Sequence, residues 1–258
     1  MNKNEICLCG LAAVRARFEH DAGSIVRLFF DEPMSRKIGS MCQTLAAARK
    51  VYRCVPPGEL EKISGSLHHG GIVAVVAASR LRSPTAVDIK TWAVRRAPLL
   101  LLDRISNAHN LGAIARTAAF FGIEHIIIPA HPAAALPNEA AHRVAEGGLE
   151  HVAVWRVPSL TSFCRELTAV GYDVVGAAAH NAGPVEKAVR SQTAGKRKPI
   201  ALVLGNEEHG LAPEVAAACS RRVTIPGSGR VESLNVSVAA AVLMHDLQFR
   251  DGQASWAK

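Results

Sequence analysis

From Pro98 onward the chain alternates short, largely apolar runs with helical stretches, and this pattern constrains the fold more than any other feature. The runs are PLLLLDR at 98–104, IEHIIIP at 123–129, YDVVGAAA at 172–179, IALVLG at 200–205 and RRVTIP at 221–226. A strand with one face in water alternates apolar and polar side chains. A strand that is apolar at nearly every position must be covered on both faces. The intervening helices supply that cover, so the region reads as a parallel α/β sheet sandwiched between helical layers. No internal repeat and no low-complexity tract interrupts it.

The segment before it, to about Ser79, has a different texture. EICLCG, SIVRLFFD, YRCVPP and GIVAVVA read as strands; LAAVRARFEH, RKIGSMCQTLAAARKV and GELEKIS read as helices. In the first helix Leu11, Val14 and Phe18 share one side, with Arg15 and Arg17 expected to be more exposed. Residues 80–97 carry five basic side chains and one acid with little apolar periodicity, so they read as an interdomain linker, part of which suits a short helix. The expected organisation is thus a small α/β domain over 1–79, a linker over 80–97, and a second domain over 98–258, within the reach of a 258-residue chain.

The charge is unevenly spread. Residues 1–97 hold 15 Lys and Arg against 8 Asp and Glu, whereas residues 98–258 hold 15 against 14. A positive field concentrated in the first third attracts a polyanion and steers its approach. No run of about 18 uncharged apolar residues appears, and charges break the apolar start before a signal-peptide core forms, so a cytoplasmic protein is expected. The six cysteines form no C-x-x-C pair, which disfavours a zinc site and suggests buried reduced thiols, with Cys7 and Cys9 on one strand face. His68–His69 reads as an exposed or turn pair.

In parallel α/β sheets ligands bind beyond the carboxyl ends of the strands. Three loops directly following strands stand out there: DRISNAHNLGAIARTA at 103–118, LGNEEHGL at 204–211 and IPGSGRVESLN at 225–235. None is a G-x-G-x-x-G dinucleotide fingerprint or a phosphate-binding P-loop, and neither a G-x-S-x-G elbow nor an H-E-x-x-H pair occurs. The third loop opens an apolar helix through a polar mouth, Ser233, Asn235 and Ser237. Capping accounts for part of that polarity, and a bound ligand would account for more.

Taken together, NAHNLGAIARTAAFFGI (107–123), LVLGNEEHGL (202–211) and VTIPGSGRVESLNVSVAAAV (223–242) resemble, in order and spacing, the three motifs of the SpoU/TrmH-type RNA 2′-O-ribose methyltransferases of the SPOUT superfamily. The resemblance spans roughly Pro98 to Arg250, and HHGGIVAVV resembles the ending of the α/β substrate-binding module often attached to that family. The resemblance implies a parallel sheet closed by a deep trefoil knot, S-adenosyl-L-methionine as cofactor, a ribosomal or transfer RNA substrate, and a homodimer formed through the C-terminal domain. Nothing in the periodicity points to a knot, since threaded chains are rare.

By the same resemblance, Gly205, Ile225 and Leu234 match cofactor-contacting positions, with Leu204 and Pro226 beside them. Asn110, Arg116, Glu207, Ser233 and Asn235 match the catalytic positions. Arginine gives up its proton with difficulty, so holding a phosphate or stabilising oxyanion charge suits Arg116 better than acting as a base. Glu207 would orient Arg116 or another donor, and Ser233 or Asn235 would cap the last helix while facing the cofactor loop. Arg230 suits an RNA phosphate, whereas Glu208 reads as a solvated loop acid. One departure stands out: VAEGGLEHV at 144–152 occupies a place where many relatives carry a Ser/Ala-Gly-Ala stretch. No metal is expected. The rival readings are an RNA-binding assembly factor or chaperone on the same fold with weak or no catalysis, and a methylase acting on a base or a non-RNA substrate.

Overall fold

The computed structural model describes residues 5–78, 80–178, 183–184 and 198–248. The first unit is a four-stranded sheet in the order β1-β4-β2-β3, formed by β1 (Glu5–Cys9), β2 (Ile25–Phe30), β3 (Val51–Cys54) and β4 (Ile72–Ala77). Helices α1 (Leu11–Asp21), α2 (Glu32–Ser35), α3 (Gly39–Ala47) and α4 (Pro57–Ser64) connect and cover it. Leu8, Leu28, Ile72, Ala74 and Val76 meet Val14, Met41 and Leu45 in one core. The expected basic helix over 36–51 is shorter than its sequence suggests, because Arg49 adopts a positive φ of 55° that turns the chain into β3. The His68–His69 pair divides: His68 is exposed, whereas His69 is buried and its Nδ1 accepts a hydrogen bond from the Gly71 N–H at 3.1 Å.

Helix α5 (Ala86–Arg95) forms within the residues expected to link the two units. A reciprocal capping box starts it, Thr85 accepting from the Asp88 N–H and Asp88 accepting from the Thr85 N–H. Its Ile89 and Trp92 are buried in the core of the second unit.

That second unit is a seven-stranded, all-parallel sheet in the order β7-β6-β5-β10-β8-β11-β9. Its strands are β5 (Leu99–Asp103), β6 (His125–Pro129), β7 (Ala153–Val157), β8 (Asp173–Ala177), β9 (Gly183–Pro184), β10 (Ile200–Gly205) and β11 (Arg221–Thr224). The five apolar runs appear as β5, β6, β8, β10 and β11, whereas β7 and the two-residue β9 carried no such run. As an edge strand, β7 exposes Ala153 and Arg156 while burying Trp155 and Val157, which is why it is not apolar throughout.

The pleat divides each central strand between two cores. Leu100, Leu102, Ile126, Ile128, Leu202 and Leu204 face α6 (Ala108–Phe120), α7 (Glu139–Ala145) and α10 (Val236–Gln248). Leu99, Leu101, Ile127, Ala201 and Val203 face α5, α8 (Leu160–Ala169) and α9 (Pro213–Ala218). Side chains alternate along a strand, so burying both faces requires apolar residues at consecutive positions.

The two units touch. The Cys7 N–H in β1 donates to Glu139 Oε1 in α7 at 2.7 Å. Arg17 Nε in α1 lies 2.8 Å from Glu150 Oε2. Arg17, expected to be exposed, is therefore buried: its partner comes from the other unit, which the helical pattern of α1 could not reveal. Its neighbour Arg15 is exposed as expected.

Candidate active site

All strands of the large sheet run parallel, so their carboxyl ends share one edge, and the three unusual loops leave from it. Asp103 and Gly205 close β5 and β10 side by side. Beyond them the loops are cross-braced. Asp103, buried, accepts the Ala212 N–H at 2.6 Å, and Asn206 Nδ2 donates to the Arg104 carbonyl at 3.0 Å.

The second loop folds back on itself. Asn206 and Gly210 exchange both backbone hydrogen bonds, at 3.0 and 2.9 Å, and Asn206 Oδ1 accepts from the N–H groups of Glu208 and His209. A Cβ on Gly205 would lie 2.3 Å from the Gly210 carbonyl carbon. The glycine is thus required first by the loop's own closure.

Asn107, not Asn110, caps α6, its Oδ1 accepting from the His109 N–H at 2.8 Å. That frees Asn110, inside the first turn and 9% exposed, for contacts between loops. Asn110 Nδ2 donates to Glu207 Oε1 at 2.7 Å, and Asn110 Oδ1 accepts from Asn235 Nδ2 at 3.2 Å. Asn235 in turn caps α10, its Oδ1 accepting from the Ser237 N–H at 2.9 Å and from Ser237 Oγ at 2.6 Å. The polar mouth of the last helix thus does two jobs: it caps that helix, and it ties the helix to α6 and to the β10 loop. One amide from each outer loop and one acid from the middle loop meet in a single chain of hydrogen bonds.

The other candidate residues fall around this chain. Ser233 is exposed in the loop two residues before Asn235. Leu204 is buried in the sheet core, Ile225 is half-buried against the same core, and Pro226 is exposed. Leu234 is 46% exposed, an apolar surface beside the polar chain. Backbone at Gly210, Gly227 and Gly229 borders open space, since a Cβ on any of them would meet nothing within 4 Å. Arg230 and Glu208 are exposed, the latter 3.7 Å from His209 Nε2. Exposed main chain beside an apolar side chain suits a ligand that carries an aromatic ring and is gripped by backbone groups. Among the described residues, no cluster of three or more His, Cys, Asp or Glu could hold a metal ion.

Arg116 does not pair with Glu207 or Asn235. Six residues after Asn110 on α6, it lies about 120° away around the helix, and its Nη2 meets Glu146 Oε2 at 3.0 Å. Glu146 was not singled out as a site residue; the only signal of it in the sequence is the unusual EGG run in which it stands. Asn206 and Asp103, which brace the loops, carry no signal of their own in the sequence beyond their place in two of the unusual loops.

These loops lie in the region matched by a family model. The model of the SpoU rRNA Methylase family matches residues 97–245, and that for RNA 2′-O ribose methyltransferase substrate binding matches residues 7–82. The chain belongs to the SpoU rRNA methylase family. SpoU relatives include the 23S rRNA (guanosine-2′-O-)-methyltransferase RlmB of Acinetobacter baylyi, 36% identical over 92% of this chain and 94% of that protein. RlmB of Nitrosomonas europaea is 31% identical over 92% and 88%. The uncharacterized tRNA/rRNA methyltransferase YfiF of Escherichia coli O157:H7 is 34% identical over 91% of this chain, which spans 65% of YfiF's length. Among solved structures, the SpoU methyltransferase AviRb from Streptomyces viridochromogenes, in complex with AdoMet, superposes with a TM-score of 0.75 at 25% identity, covering 95% of this chain and 89% of that one.

Proposed function

We infer that this protein transfers a methyl group from S-adenosyl-L-methionine to a ribose 2′-hydroxyl of ribosomal or transfer RNA. The observation that carries the reading is the hydrogen-bonded chain Asn235–Asn110–Glu207, which draws the three family motifs together. RlmB relatives named as ribose methylases of 23S rRNA, and an AdoMet-bound SpoU structure, support it.

When bound, S-adenosyl-L-methionine supplies a methyl group already activated by a positively charged sulfur. Backbone near Leu204, Gly205, Ile225 and Pro226, with the apolar side chain of Leu234, would hold it. The protein's task is then to align a poor nucleophile and to help its proton leave. Asn110 and Asn235 present amide groups fixed by their mutual hydrogen bond, so they orient a hydroxyl without reorganising. Glu207 accepts from Asn110 and fixes which way that amide points. Ser233 stands in the exposed loop beside them as a further hydroxyl contact to the substrate. Arg116 carries a permanent positive charge and five N–H donors, suited to an RNA phosphate or to oxyanion charge on the ribose. The N-terminal unit, where the excess of basic residues lies, supplies affinity through phosphates and the shape of the folded RNA.

The reading also includes a trefoil knot around the cofactor loops, a homodimer through the C-terminal unit and a cytoplasmic location. Among the described residues, no helix is long and apolar enough to cross a membrane. The deciding experiment has two arms. Calorimetry with S-adenosyl-L-methionine should show saturable binding. Transfer of labelled methyl to RNA, followed by nucleoside analysis, should yield a 2′-O-methyl nucleoside. No binding would leave only an RNA-binding assembly factor, and a methylated base would refute ribose chemistry.

A further inference from the structure

We propose that Glu146 is the positioning residue for Arg116, and that the docked N-terminal unit sets the place of its carboxylate. The proposal rests on the functional reading above and adds to the site a residue outside the three motifs.

Arg116 projects from α6 with its side chain 56% exposed, and its ion pair with Glu146 at 3.0 Å gives the guanidinium a fixed partner. A long, half-exposed arginine left alone samples many rotamers. A carboxylate that engages one edge of the fork removes much of that freedom and leaves the remaining donors for substrate. The carboxylate makes its approach to Nη2, at 3.0 Å.

Glu146 is held where it stands by its backbone. It ends α7 in the left-handed conformation, φ 45° and ψ 45°, a position that helices usually give to Gly or Asn. The next two residues are glycines packed on opposite sides. A Cβ on Gly147 would lie 2.8 Å from Ala16 Cβ of α1, in the N-terminal unit. A Cβ on Gly148 would lie 2.7 Å from the Arg116 Cα, in α6. Two residues further on, Glu150 pairs with Arg17 of α1 in a buried contact. The segment is thus a thin wedge with the RNA-binding unit on one side and the backbone of Arg116 on the other. Its first acid reaches Arg116 and its last reaches Arg17. Helix α1 therefore borders the turn that places the Glu146 carboxylate, through the close approach at Gly147.

The test measures steady-state methyl transfer to unmodified 23S ribosomal RNA, with transfer RNA as a second substrate, by wild type, Glu146→Gln and Glu146→Asp. Glu146→Gln is expected to lower kcat about tenfold with KM within about twofold, because misaiming a reacting group costs rate more than binding. Glu146→Asp should recover at least half of the loss. In an Arg116→Lys background, Glu146→Gln should change kcat less than about twofold, as expected for residues acting through one another. A change in KM with kcat intact, or an equal loss in the Arg116→Lys background, would overturn the proposal. The side-chain 15N resonances of Arg116 give a second readout that needs no turnover. Wild type should show a distinct guanidinium signal that collapses to the free-arginine position in Glu146→Gln, and an unchanged signal would refute the pairing. If wild type itself transfers no methyl group to ribose, the functional reading falls, and the resonances alone decide the proposal.

Discussion

Asn110 shows how much one side chain can decide. It donates to Glu207 and accepts from Asn235, so one N–H and one lone pair of its amide join two loops and the others are left for substrate. Asn110→Asp keeps the shape and the acceptor but sets a carboxylate against Glu207. Denaturant unfolding at pH 7 should find it about 1 kcal/mol or more less stable than Asn110→Ala, because like charges at contact distance repel by at least that amount. Arg116 stands outside this chain, so Arg116→Ala should lower turnover by about a hundredfold or more while calorimetry finds cofactor affinity nearly intact. A large loss of cofactor affinity would mean that the arginine is misassigned. The cysteines were expected to be buried thiols, and they divide. Cys7 and Cys164 are buried, and burial is the largest cause pushing each thiol up to about 12. Cys54 is exposed. Mild alkylation with peptide mapping should therefore label Cys54 first, since a thiol reacts as its accessible thiolate.

At the scale of elements, the site depends on a close backbone approach at Gly205 that tolerates no added bulk. The loop after β10 closes so tightly over Gly205 that a single methyl would strike the backbone at Gly210. Backbone gives way less readily than a flexible side chain, so Gly205→Ala should cost about 1–3 kcal/mol, the range for overpacked sites. It should also weaken S-adenosyl-L-methionine binding, which calorimetry would detect; unchanged affinity would mean that the loop's shape is irrelevant to the ligand. Helices α6 and α7 meet under the same constraint, since a Cβ on Gly112 would lie 2.4 Å from the Ala141 carbonyl oxygen. The glycines in NLGAIARTA and VAEGG therefore set how closely the arginine's helix approaches the segment bearing Glu146.

For the whole molecule, the contact between the units is the sensitive feature. Arg17, Glu150 and His142 form a buried cluster, with His142 Nδ1 3.6 Å from Glu150 Oε1. Burial, with the nearby Arg17 charge, pushes the His142 pKa down to about 4 from 6.5. Between those two values the unfolded chain binds a proton that the folded protein refuses, so stability should fall as pH falls through that window, by at most about 1.4 kcal/mol per pH unit. Burial raises the Glu150 carboxyl, which acts in the opposite sense and reduces the slope. His142→Leu should flatten the dependence, measured by denaturant unfolding from pH 7 to pH 4. Arg17→Met leaves Glu150 buried without its counter-ion and should cost about 3 kcal/mol. Substituting exposed basic residues of the N-terminal unit, such as Arg36 and Lys37, should weaken RNA binding and reduce its salt dependence, and an unchanged salt slope would count against that unit as the RNA reader.

The sequence by itself determined the covered parallel sheet, because burying both faces of a strand requires consecutive apolar residues, and β5, β6, β8 and β10 each carry at least three in a row. It also determined the three loops, because glycine and asparagine cluster where backbone must turn sharply or meet a ligand. Only the tertiary structure decided which of those residues touch. Asn107, rather than Asn110, caps the helix; Gly205 is closed over by Gly210; Arg17 finds its acid 133 residues away; and Arg116 finds Glu146 instead of Glu207. The physical reason is the same in each case. Periodicity and turn chemistry are local and repeat along the chain, whereas an ion pair or a glycine contact depends on two surfaces that only folding brings together.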